Sequence, residues 1–191
     1  MQKNHKKYLF SIILVAASTC TLFAQRTKKT VVVDEGVVTY SFRSNGKEMK
    51  DFPPLQLFFK NNIAHLVQGK NPEKKEGQYI DYNQQITYQI LTQKNGQRVT
   101  LKMPFSTYEK AALTGDTATI LGYYCKKAKV TIRSNTIEIW FTDQLALKGT
   151  PGLSIAPGLG LILKMIRNGN FETYATKVQL QKVNDADADL P

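Results

Sequence analysis

Residues Gln85 to Phe105, QITYQILTQKNGQRVTLKMPF, decide the fold class of this chain. Before Asn95-Gly96, Ile86, Tyr88 and Ile90 lie on one side of the period. After it, Val99, Leu101 and Met103 alternate with Arg98, Thr100 and Lys102. A period of two sends successive side chains to opposite faces of a strand, whereas a helix needs about 3.6. Asn-Gly is the strongest short hairpin signal, because both residues tolerate positive φ. The stretch therefore predicts an antiparallel hairpin with one apolar face.

The same period extends outward in both directions. Upstream, Val38, Tyr40 and Phe42 oppose Val37, Thr39, Ser41 and Arg43, and Pro53-Pro54 then break the chain. Strands are expected over 55–60 and 63–68, turning at Asn61-Asn62. The charged GKNPEKKEG at 69–77 predicts a solvated loop. Downstream, strands are expected over 118–133 and 136–142, then 159–167 and 171–182 about Asn168-Gly169-Asn170. One helix is expected from Ser106, three residues before Glu109 as in a capping box, ending at Gly115. The sum is a mainly β domain. It is a curved antiparallel sheet or half-barrel of about eight to ten strands with one or two short helices, each strand with one buried and one wet face.

The N-terminus has a different pattern. Lys3, Lys6 and Lys7 precede the apolar run YLFSIILVAA at 8–17, and Ala24 supplies a small residue before a cut. Residues 1–24 are expected to be a signal peptide, cleaved before Gln25. Residues 8–24 are shorter and richer in hydroxyls than the roughly 20 apolar residues of a membrane span. Thr19 is a poor match to lipoprotein processing at Cys20, and no later stretch is long or apolar enough to cross. The chain is expected to be exported, to the periplasm or the cell surface and beyond. Residues 25–183 then form one domain, and 184–191, with Asp185, Asp187 and Asp189, a frayed acidic end or linker start.

Charge and residue counts narrow the chemistry. The chain has 26 Lys+Arg and 15 Asp+Glu, and loss of the leader with its three lysines leaves a net charge of +8. These cations scatter over strand faces and loops, without an Arg-rich stripe among stacking aromatics, so no specific nucleic-acid partner is expected. One histidine, His65, and one cysteine, Cys125, remain beyond the leader. That excludes an internal disulfide and a clustered His/Cys metal site, and no cofactor is expected. Glu35, Glu138, Asp143 and Glu172 fall on different strands or turns with no catalytic spacing. No Gly-x-Ser-x-Gly elbow is present, and Gly149–Gly160 does not match a phosphate loop. Cys125 reads as a buried small hydrophobe rather than a thiol activated by Lys126, Lys127 and Lys129. His65, between Ala64 and Leu66, reads as structural. Trp140 is either a binding-surface aromatic or part of a second core layer.

One resemblance emerges from the later strands. Thr119-Ile120-Leu121-Gly122-Tyr123-Tyr124-Cys125, then Ile137-Glu138-Ile139-Trp140-Phe141-Thr142, then Ala156-Pro157-Gly158-Leu159-Gly160-Leu161-Ile162, resembles the GLPGLI family of secreted Bacteroidota proteins. It is best over 115–182, and its signature positions are Gly122, Tyr123, Cys125, Trp140, Pro157, Gly158 and Leu159. Phe141 stands where that family usually has Tyr, and Gly160 interrupts the hexapeptide. The resemblance implies no established activity, and a curved sheet similar to the lipoprotein-carrier half-barrels.

Two functions are compatible with this reading. The first is a non-catalytic binding module holding a lipid, acyl chain or extended peptide in a concave apolar sheet. The second is an interaction component, pairing strand edges with an outer-membrane receptor or a secreted enzyme. A hydrolase built from unlinked acids is a distant third.

Overall fold

Twelve strands form one antiparallel sheet in the computed structural model, which describes residues 33–69, 77–152 and 155–190. The predicted leader lies outside these residues, as does most of the 69–77 loop. The strands are β1 (Gly36–Ser44), β2 (Lys47–Glu48), β3 (Leu55–Lys60), β4 (Ile63–Gln68), β5 (Gly77–Asp81) and β6 (Ile86–Thr92). They continue with β7 (Arg98–Pro104), β8 (Ala112–Ile120), β9 (Tyr123–Ile132), β10 (Asn135–Thr142), β11 (Leu161–Arg167) and β12 (Phe171–Leu180). Their order is β7-β6-β5-β4-β3-β1-β12-β11-β10-β9-β8, with β2 flanking β1. The path does not close, so β7 and β8 are its edges.

This is the mainly β, antiparallel, unclosed sheet that the period of two predicts. The strand count rises because β2, β5 and β8 were not separated in the periodicity. Near-neighbour hairpins account for every pairing except β1 with β12 and β3, which joins the two arms. Six strand spacings, roughly 29 Å on a flat sheet, separate β6 from β11. Yet Leu91 of β6 and Met165 of β11 line one cleft, so the sheet is strongly curled.

Local differences have local causes. At Asn95-Gly96 only glycine is left-handed, at φ 82°. Gly96 N–H donates to Gln93 O at 2.9 Å and Gln93 N–H to Gln97 O at 2.8 Å, giving a longer loop than the two-residue turn expected. The helix expected from Ser106 is a single 3-10 turn, Phe105–Thr107. There Thr107 Oγ1 donates to Pro104 O at 2.7 Å, and no side chain caps the turn. Gly115 ends no helix. At φ 86° it sits inside β8, where the register against β9 shifts between Leu113 and Thr117.

At β11 apolar residues fall on both faces, where one wet face was expected. Opposite Trp140 lies Lys164, but opposite Phe141 lies Ile162, so Leu163 is the extra residue of a bulge. A bulge resets the alternation. Leu161 and Leu163 thereby join the main core with Tyr40, Leu57 and Phe59, while Ile162 and Met165 join a second cluster with Ile137, Ile139 and Phe141. The segment after β10 crosses the sheet and supplies Leu147 to the first cluster and Ile155 and Ala156 to the second.

The acidic tail is docked rather than frayed. A short helix, α1 (Asp185–Ala188), buries Ala188 against Val37 and Val183, with Phe58 beside them. Lys60 Nζ donates to Val183 O at 2.8 Å and to Asp185 Oδ1 at 2.5 Å. The hydrogen-bonded Asp185 carboxylate, aided by Glu35, raises the Lys60 ammonium above its ordinary range.

Candidate functional site

The inner face of the curl holds a cleft of about 390 Å³. Its walls come from both arms: Leu55, Leu66, Gln78, Gln89 and Leu91 on one side, Met165, Arg167, Phe171 and Thr173 on the other. Phe42 and Phe52 complete it, with Phe42 ring centroids 5.8 Å from Phe52 and 6.2 Å from Phe171. Phe52 and Leu91 are about half exposed, at 48% and 46%.

Gln78 is the unusual polar residue here. Register places it on β5 between Leu66 of β4 and Gln89 of β6, all three lining the cleft. It is 2% exposed, and neither Oε1 nor Nε2 has a partner among the described residues. A buried amide left without partners costs about 1–3 kcal/mol. Nothing in the packing demands a glutamine there, since Leu66 fills the facing position with hydrocarbon. Among the described residues no carboxylate lines the cleft, and Arg167 is the one charged residue in its lining.

The acids singled out in the sequence lie elsewhere and face cations. Glu138 and Glu172 belong to a charged ladder across the outer surface. Lys127 Nζ lies 3.4 Å from Asp116 and 3.2 Å from Glu138, while Glu172 lies 3.4 Å from both Lys164 and Arg43. Arg43 reaches Glu48 at 3.4 Å, and Tyr174 Oη donates to Glu48 at 2.7 Å. That phenol hydrogen bond, then Arg43, lowers the Glu48 carboxyl below its usual range. Asp143 pairs with Lys126 at 2.9 Å, and Glu35 accepts from Val183 N–H at 3.0 Å. These carboxylates are spent on ion pairs and a backbone bond rather than converging on one reacting atom.

The other predicted residues are structural neighbours of this surface. Trp140 packs partly buried against the main core, under Lys127 Nζ at 5.4 Å from its ring centroid. His65 stacks on Tyr79 at 3.9 Å between centroids and donates from Nδ1 to Asp187 O at 2.6 Å. Cys125 is fully buried, and burial pushes its thiol upward, away from reactivity. At about pH 8 a thiol-exchange reagent should modify Cys125 at least about a hundredfold faster in denaturant than in the native protein. Peptide mapping of the modified residue checks this, and comparable native labelling would contradict it. Gln78, Phe42, Phe52 and Phe171 were missed as site residues. The available signal was Gln78-Tyr79-Ile80-Asp81, whose alternation puts glutamine on the parity of Ile80.

Fold and cleft together define a curled, open, antiparallel β domain with an aromatic inner cleft and no convergent acids among the described residues. The chain belongs to the family described as N-glycanase peptide, N-terminal domain, whose profile matches residues 38–190. Two solved structures of PNGF-II are similar to it, in C2 and P21 crystal forms, each at 28% identity over 79% of this chain. Their TM-scores are 0.69 and 0.71, and the chain spans only 28% and 29% of their length. No curated protein matches the chain.

These findings overturn the GLPGLI assignment. The match begins at Val38 and covers both arms of the sheet, whereas that resemblance is best over 115–182 and weak before it. Its signature positions are ordinary β-hairpin features. Leu121-Gly122 is the left-handed turn between β8 and β9, Tyr123 opens β9, and Cys125 fills a tight core position. Pro157-Gly158 lies in a turn closed by Leu159 N–H donating to Ala156 O at 3.1 Å.

Proposed function

We propose that this chain is an exported, non-catalytic accessory domain of the N-glycanase type, holding part of a glycoprotein substrate in its inner cleft. The observation that carries it is the match to an N-terminal domain over 38–190, joined to a cleft whose lining holds no carboxylate among the described residues. General acid–base hydrolysis needs titratable groups within hydrogen-bond reach of the scissile bond. Glu138, Asp143 and Glu172 are instead engaged in ion pairs on the outer surface, and the buried Asp81 accepts from the backbone N–H groups of Asn83 and Gln84. The partner in this reading is the catalytic part of a secreted N-glycanase.

Strand-edge pairing is the less favoured route to a partner. Edge β7 carries Arg98, Lys102 and Pro104, and edge β8 is bulged between Leu113 and Thr117. Charges, proline and bulges are the devices that blunt an edge against pairing. The purified chain, incubated with a fluorescent N-glycopeptide, should retain it in equilibrium dialysis and leave its mass unchanged. Release of the glycan by the chain alone would refute the non-catalytic reading. Absence of any retention would refute the accessory one.

A further inference from the structure

The structure assigns a ligand class to the inner cleft: we infer that Gln78 and the Phe42, Phe52 and Phe171 rings form a subsite for one neutral pyranose unit of a glycan. This rests on the accessory reading and makes it specific. A carboxamide offers an acceptor and a donor side by side, and adjacent ring substituents of a sugar (two hydroxyls, or a hydroxyl and an acetamido group) offer the complement. The other half of a pyranose is its C–H face, which packs on aromatic rings. The cleft holds both halves: an unspent fork on β5, and three phenyl rings clustered about Phe42.

Size and charge agree with this ligand. A space of about 390 Å³ lies near the lower end of small-ligand pockets, which suits a ring or two rather than a long chain. Among the described residues the lining has no acid to pair a cation and one guanidinium, Arg167, so a neutral ligand with hydroxyl acceptors fits. Both Gln78 amide atoms are closed off from water in the empty cleft. Binding therefore requires the side chain to turn toward the space it lines. The fork then makes hydrogen bonds in a dry site, where leaving them unmade discriminates strongly.

The probes are N,N′-diacetylchitobiose and mannobiose, titrated into the full chain by ligand-observed NMR and calorimetry. At least one should bind, and Gln78→Leu should weaken it by at least about tenfold. The same variant should melt at or above the wild-type temperature, since it replaces an unpartnered buried amide with hydrocarbon; a glutamine with a structural role would melt lower. Phe52→Ala, at an exposed ring, should weaken binding without altering the melting temperature. Neither sugar binding, or equal binding by Gln78→Leu and wild type, overturns the subsite. So does binding of the sugar-free peptide in place of the sugars. If both proteins retain the N-glycopeptide equally, the subsite falls while the accessory reading stands. If wild type retains none, the accessory reading itself falls.

Discussion

Leu57→Ala is expected to lower the unfolding free energy by about 2–5 kcal/mol and Gly149→Ala by about 1–3 kcal/mol, while the double variant loses less than their sum. Leu57 is fully buried at the centre of β3, opposite Val38 on one side and Leu66 on the other. Removing its branch leaves a void that three paired strands cannot collapse into. At Gly149 the problem is the reverse. A Cβ there would fall onto Leu57 Cδ2, because the segment crossing the sheet runs directly over that side chain. The segment cannot retreat freely. Gly149 O accepts from Ile162 N–H at 2.9 Å, and a parallel bridge pairs Gly149 with Leu161. The two positions thus compete for one space, and the alanine methyl at 149 occupies part of what Leu57→Ala vacates. Urea denaturation of the four proteins measures the coupling. Strict additivity would mean that the crossing segment does not rest on β3.

The same crossing marks the boundary of what could be read from sequence. Strand faces in β1, β3, β6, β7, β9 and β10 were legible because their alternation is local and needs no partner to be recognised. The Asn61-Asn62 turn was legible for the same reason, as both residues take the left-handed conformation at φ 52° and 61°. The bulge at Leu163 was not. Leu161-Ile162-Leu163 is three apolar residues in a row, and only the pairing of β10 with β11 decides which of them changes face. The helix expected at Ser106 failed on competition: a three-residue turn satisfies Pro104 O through Thr107, and Gly115 is more useful as a bulge in an edge strand. The cleft was illegible because its walls, β6 and β11, meet only after the sheet curls. Gln78 could be assigned to a face, but not to an unmet hydrogen-bonding fork. The family was not legible because Leu121-Gly122 and Pro157-Gly158 suit any tight turn and carry no information specific to one family.

Raising the pH above about 10 is expected to destabilise the fold steeply, chiefly through the buried phenols of Tyr40 and Tyr82, with Tyr79 raised by burial as well. Tyr40 is fully buried and donates to Ile162 O at 2.8 Å; burial, with a smaller contribution from Tyr82, pushes its hydroxyl well above the ordinary tyrosine value. Tyr82 packs between Phe59 and Phe105, with ring centroids 6.1 Å and 5.7 Å away, and its hydroxyl has no partner among the described residues. Burial raises it too. The native state therefore keeps two protons that the unfolded chain releases near pH 10. Their stabilisation is fully present below that value and is lost as pH climbs from there toward the folded values. Each retained proton contributes a slope of about 1.4 kcal/mol per pH unit. Lys60, Lys126 and Lys127, whose hydrogen-bonded carboxylates raise them, change in the same direction. Lys126 is exposed and Lys60 and Lys127 are partly so, and added salt weakens their share relative to the buried phenols. Tyr82→Phe should cost little at neutral pH, because it breaks no bond, yet lower the alkaline slope by about one proton's share. Tyr40→Phe should remove a similar share of the slope but also cost about 1–3 kcal/mol at neutral pH, by stranding Ile162 O beside the Leu163 bulge. Denaturation midpoints between about pH 8 and about pH 11, with phenolate absorbance as a second probe, separate the two effects. An unchanged slope in Tyr82→Phe would show that water reaches that hydroxyl in the native fold.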